Sequence, residues 1–207
     1  MTRATPPELW AGTGIRALDH AVEIYLSRAP TPVTDAACLH AVRLLFGNLR
    51  QSLDDPDDAE ARLACQHAAW LSMIGVENVT LGLSHGIGHQ IGARCGVPHG
   101  VTSCVMLPTV MAYMSDAMPE RMADLARATG AGEEGAPARV RELIASLRLP
   151  TTLAEAGVGR EAFELIAEDA MRDFVVAAAP VDVSKADVIA LLERAYQSSA
   201  AGAPSSA

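Results

Sequence analysis

Residues Ser84–Gly100 read SHGIGHQIGARCGVPHG, and the helical period and chemistry of the chain are most concentrated there. His85 and His89 stand four residues apart, which makes them neighbours on one face of a helix. His99 follows a Gly-Val-Pro turn that can fold a third imidazole back toward that face. Neutral imidazole is the commonest biological metal ligand, and an i, i+4 pair with one returning ligand makes a compact site. A histidine on an apolar helix face is also commonly a hydrogen-bonded core residue, and the spacing leaves both readings open. The segment is not the HExxH helix of zinc proteases, because Gly86 occupies the place of the glutamate that serves as base.

Outward from this segment the apolar pattern is helical nearly throughout. Toward the N-terminus, a helix is expected from Val79 to Cys95, with Gly75 breaking it from another over Ala59–Ile74. The run Asp54-Asp55-Pro56-Asp57-Asp58 reads as the acidic start of that second helix, favoured by the macrodipole. Asp35–Leu53 carries a further helix, and Thr5 caps one that runs through Pro6 and Pro7 to about Ser27. Toward the C-terminus, Val101–Met114, Pro119–Thr129, Ala138–Leu147, Arg160–Ala178 and Lys185–Gln197 continue the series. No alternating run argues for a strand. The expected fold is all-α, about eight helices packed as one compact domain over residues 1–197. Residues 198–207, SSAAGAPSSA, have nothing to bury and are expected to be disordered. The stretch Gly12-Thr13-Gly14-Ile15-Arg16-Ala17 fits the GxGxxA dinucleotide pattern. It follows a helix start rather than a strand, so the glycines are expected to permit close helix contact instead.

Composition narrows the class. The 207 residues are 50% hydrophobic but only 4% aromatic, which suits helices packed closely through Ala, Leu and Val. A formal net charge of −9 without a basic cluster argues against nucleic acid and anionic membrane as partners. Cys38, Cys65, Cys95 and Cys104 lack a CxxC pair, and reduced thiols in a cytoplasmic protein account for them most simply. The longest apolar stretches are broken by Pro108 and Pro180, short of the roughly twenty residues that span a bilayer. No basic region followed by an apolar run opens the chain.

TPPELWAGTGIRALDHAVE, followed by LSHGIGHQIGARCGVPHGVTSCVMLPTV, resembles the C-terminal helical domain of the iron-containing (group III) alcohol dehydrogenases, a superfamily that includes the maleylacetate reductases. The resemblance runs from about Thr2 to Tyr196. It implies a dehydroquinate synthase-like helical domain that, in relatives, follows an α/β nucleotide-binding domain, with the active site in the cleft between them. The chain is expected to begin at that boundary, so that NAD(P) is held only through a domain outside it, including one on a separate polypeptide. By the same resemblance His20, His85 and His99 would ligate a divalent metal, Fe(II) or Zn(II), and His89 would lie beside substrate and nicotinamide. Arg16 falls where the family places its aspartate ligand. A guanidinium cannot coordinate and weakens metal binding, but it can receive a carboxylate in bidentate fashion, which makes Arg16 a candidate catalytic group toward an oxo-acid. Thr109 and Met114 stand where many relatives carry histidine and asparagine. The implied function is the substrate- and metal-binding half of an NAD(P)-dependent oxidoreductase, an alcohol dehydrogenase or a maleylacetate reductase, expected to form homo-oligomers. The competing expectation is a non-catalytic helical module or inactive remnant with a structural zinc at His85, Cys95 and His99.

Overall fold

Apolar stripes set the helices, with side-chain caps from Thr31, Asp58 and Asp173 starting three of them. The computed structural model describes residues 2–76 and 79–197, and the expected tail over 198–207 lies outside them. α1 (Pro7–Tyr25), α2 (Pro32–Asn48), α3 (Gln51–Asp54), α4 (Ala59–Met73), α5 (Leu83–Cys95) and α6 (His99–Met114) make the first part. They are followed by α7 (Pro119–Thr129), α8 (Gly135–Ser146), α9 (Phe163–Ala170), α10 (Phe174–Ala177) and α11 (Lys185–Gln197). Single 3₁₀ turns cover Thr2–Ala4 and Arg160–Ala162. Among the described residues there is no strand, as the sequence implies.

Among the described residues eleven helices stand against the expected count of about eight, because two of the nine segments read from the sequence each divide into two helices. The C-terminal stretch stops at Ala170, and the Asp173 side chain then accepts from the Val175 N–H at 2.8 Å to start α10. The second predicted helix starts earlier, at Pro32, because Thr31 and Thr34 form a reciprocal capping box, and the short α3 follows separately. Asp58 caps α4 by accepting from Ala61 N at 2.9 Å. Gly96, at φ 69°, ends α5 in the left-handed conformation that glycine adopts without strain.

α1 is the axial element, packed against α2, α4, α5 and α6. α7 and α8 close one side against α2 and α6, while α9, α10 and α11 close the other against α5 and α6. Ile15, Leu18, Val22 and Ile24 of α1 are fully buried, as are Leu83, Ile87 and Ile91 of α5 and Met106, Leu107 and Met111 of α6. The first of these contacts depends on missing side chains. A Cβ on Gly100 would lie 2.8 Å from the carbonyl carbon and oxygen of Gly12, and one on Gly14 would lie 2.5 Å from Leu49 Cδ1. The GxGxxA pattern is therefore a packing device, which draws α1 and the start of α6 together and with them the histidines each carries. Gly86 has the same role toward α10, because a Cβ there would meet Val176 Cγ2 at 2.4 Å.

Candidate active site

The site is organised by a carboxylate from α1. Glu23, buried on the apolar face of α1, meets the start of α5. Its Oε1 accepts from Ser84 N at 2.6 Å, and Oε2 accepts from Gly82 N at 3.0 Å and His85 N at 3.2 Å. These N–H groups have no intrahelical partner, so an anion is well placed there. This tertiary cap is why α5 begins at Leu83 and not at Val79 as the local pattern implies. Glu23 Oε2 also lies 2.7 Å from His85 Nδ1. Burial works to raise the Glu23 pKa, but the His85 hydrogen bond and the backbone donors outweigh it and hold it below the ordinary carboxylate value. Burial opposes charge on His85 in turn, while Asp19 and Glu23 together raise its pKa. With Nδ1 turned to the carboxylates, His85 keeps a buried Nε2 without a hydrogen-bond partner among the described residues.

Four imidazoles form a continuous row from that point. His20 stacks on His85 with centroids 4.8 Å apart and planes 28° from parallel. His85 meets His89 edge-on at 6.4 Å, and His89 meets His99 at 6.0 Å. α1, α5 and the first residue of α6 supply them. At the outer end, His89, His99, Gly92, Ala93, Gly96, Val97 and Pro98 line a hollow of about 450 Å³. Burial, then the charge of His85 and Arg16, pushes His20 down to about 3. Burial followed by Arg16 also lowers His99.

Arg16 lies against this row. Its Nη1 donates to Ser103 Oγ at 3.2 Å and sits 3.9 Å from Asp19 Oδ2, with the side chain 19% exposed. Asp19, adjacent to His20, points off that ligand face as the helix turn requires, and yet it reaches the site from behind. It is fully buried, 3.4 Å from His85 Nδ1, and accepts from Ser84 Oγ at 3.0 Å. Burial raises its pKa, against the lowering charges of His85 and Arg16. The site read from the sequence includes neither Asp19 nor Glu23. The available signal was two acids at i, i+4 within the buried face of α1, where a carboxylate is held only with partners.

The three expected metal ligands lie in one row of imidazoles, while the donors drawn most tightly together are a different set. Among the described residues, the only three candidate ligand atoms within 4.8 Å of one another belong to Asp19, Glu23 and His85. That group includes neither His20 nor His99 of the expected ligands, and not Cys95. The Asp19–Glu23–His85 group is already committed to hydrogen bonding. Both Glu23 oxygens take the N-terminus of α5, and His85 Nδ1 faces the carboxylates, so an ion there would strip a helix of its cap.

The structure is thus an all-helical unit with a row of four histidines supplied by α1, α5 and α6. The model of the Fe-containing alcohol dehydrogenase family, C-terminal, matches residues 10–196, and the chain belongs to that family. It is 34% identical over 197 residues to alcohol dehydrogenase 4 of Saccharomyces cerevisiae, covering 93% of this chain and 52% of the yeast protein. Its structure resembles that of a 1,3-propanediol oxidoreductase (TM-score 0.90, 34% identity, 94% of this chain and 53% of the other). It also resembles that of the maleylacetate reductase of Agrobacterium tumefaciens (TM-score 0.87, 28% identity, 95% and 55%). The chain thus spans about half the length of the curated relatives it matches. No helix among the described residues is long and apolar enough to cross a membrane.

Proposed function

We propose that this chain is the substrate-side half of an NAD(P)-dependent oxidoreductase that interconverts an alcohol or hydroxy acid with its aldehyde or oxo-acid. The observation that carries the reading is the row of four imidazoles, in which His85 holds a buried Nε2 without a partner among the described residues and feels the charge of Arg16. The nucleotide-binding part lies outside the given residues, in a longer form of the chain or in a separate polypeptide, and homo-oligomers follow the same expectation. The nicotinamide, when bound there, supplies the hydride to the substrate carbon. Within this chain, Arg16 and the imidazole N–H groups stabilise negative charge on the substrate oxygen, and His89 at the rim of the hollow exchanges the proton with solvent.

The residues present fit a divalent ion poorly. His20, His85 and His99 supply no negative charge, the donor group drawn within 4.8 Å includes neither His20 nor His99, and the Arg16 charge is felt by all three. No step is therefore routed through a metal, and the guanidinium takes the part of the resident cation. Only one of its terminal nitrogens is engaged by Ser103 and Asp19, which leaves donors for a substrate carboxylate and favours the oxo-acid over a simple aldehyde.

Zn(II) titration by calorimetry tests the metal statement. Wild type should bind no tighter than the His85→Ala, His99→Ala variant, and Arg16→Asp should raise affinity roughly 100-fold or more as a cation gives way to an anion. Tight binding by wild type overturns it. For the reaction, the chain should be joined to a relative's nucleotide-binding half and offered NADH with short aldehydes and with maleylacetate. Reduction of simple aldehydes alone removes the oxo-acid reading, and no turnover with either favours a non-catalytic module.

A further inference from the structure

Asp173 lies 84 residues from His89 in sequence, at the junction between α9 and α10. Its Oδ2 is 3.2 Å from His89 Nδ1 and also accepts from Gln90 Nε2 at 3.0 Å. Its Oδ1 accepts from the Val175 N–H at 2.8 Å. The carboxylate is thus held from two sides by fixed donors, with a side chain only 11% exposed against 37% for His89. Three residues on, Val176 packs against α5 at Gly86, where a Cβ would meet the Val176 nitrogen at 3.1 Å as well as the side chain. α10 has four residues, and its buried Val175 and Val176 fix the junction against the core beside the carboxylate.

We infer that Asp173 is a positioning residue that holds His89 as the Nδ1–H tautomer with Nε2 presented as the acceptor at the hollow. The inference rests on the reading of His89 as the proton-exchanging group. An imidazole bound at one nitrogen has its other nitrogen's role fixed, since a neutral ring carries one donor and one acceptor. A carboxylate can only accept, so Nδ1 must donate to it. Nε2 then takes the proton from an alcohol hydroxyl, or returns it to the developing alkoxide once protonated, while the Asp173 contact keeps the ring from rotating away. His85 is organised by the same logic toward Glu23. The two neighbouring histidines of α5 are therefore pinned at Nδ1 by acids from opposite sides of the domain, α1 and the α9–α10 junction.

The test needs no turnover, so its outcome is separate from that of the oxidoreductase reading. Histidine-¹⁵N-labelled full chain is recorded by long-range ¹H–¹⁵N correlation at about pH 8.5, above the ordinary imidazole range. Wild-type His89 should show a protonated Nδ1 and a bare Nε2. In Asp173→Asn the amide oxygen still accepts from Val175 N, so the cap survives, while its NH₂ faces His89 Nδ1 and inverts the pattern to Nε2–H. Gln90→Ala should leave the wild-type pattern in place with the melting temperature unchanged within about 2 °C. An Nε2–H tautomer in wild type, or an unchanged pattern in a folded Asp173→Asn, overturns the inference. If Asp173→Asn does not fold, the wild-type tautomer alone decides.

Discussion

Replacing Gly100 by alanine changes one hydrogen for one methyl and should act in a direction opposite to the same change at Gly47. A methyl at Gly100 would stand 2.8 Å from both the carbonyl carbon and oxygen of Gly12, and 3.1 Å from its Cα. All three are backbone atoms of α1, so no side chain can rotate aside and the helices must separate by several tenths of an ångström. Overpacking of this kind costs about 1–3 kcal/mol, and the backbone nature of the obstacle puts Gly100 at or above the upper end. Alanine's better helix propensity returns at most about 1 kcal/mol, leaving a net loss of roughly 2 kcal/mol. For a chain of this length that lowers the melting temperature by about 4–8 °C. At Gly47, on the exposed face of α2, nothing lies within 4 Å of the added methyl, and the propensity gain of up to about 1 kcal/mol stands alone. Urea denaturation of both variants with an unchanged m-value reads the two signs directly. A Gly100→Ala protein as stable as wild type would show that α1 and α6 do not meet at that spacing. The reasoning that brings His20 and His99 into one row would fall with it.

Glu23→Ala strips three backbone N–H groups and the His85 imidazole of their acceptor and should cost about 3–5 kcal/mol, a fall of roughly 6–20 °C in melting temperature. The exposed Glu133→Ala should stay within about 0.5 kcal/mol, and equal melting of the two would refute the capping role. His20 supplies the pH dependence. Its pKa falls from 6.5 to about 3 on folding, chiefly through burial, so the unfolded chain binds the extra proton and stability drops as pH falls below about 6.5. Between pH 6.5 and 4.5 that amounts to roughly 2–3 kcal/mol. His20→Asn should flatten this limb of the stability profile, and a limb that runs parallel in the two proteins contradicts a neutral, desolvated His20.

Much of the architecture is local in origin and could be read from residues alone. The 3.6-residue apolar period and the acidic start at Asp54–Asp58 act within a few positions of themselves, and α7 and α11 fall at the bounds their patterns imply. The equally local Thr31 cap, by contrast, moves the start of α2 ahead of the expected Asp35. The i, i+4 spacing of His85 and His89 likewise sets them on one face, and the small residues at Gly12 and Gly14 announce a close approach without saying to what. The partners of buried polar groups follow a different rule. Glu23 meets the start of α5 across 59 to 62 residues, and Asp173 meets His89 across 84. Periodicity records only that a face is covered, whereas a carboxylate's hydrogen bonds depend on which helix covers it, at what crossing and in what register. Those are fixed by the packing of α1, α5, α6 and the α9–α10 junction together. The same packing sets His20, His85 and His99 in one row and brings the Arg16 charge against all three.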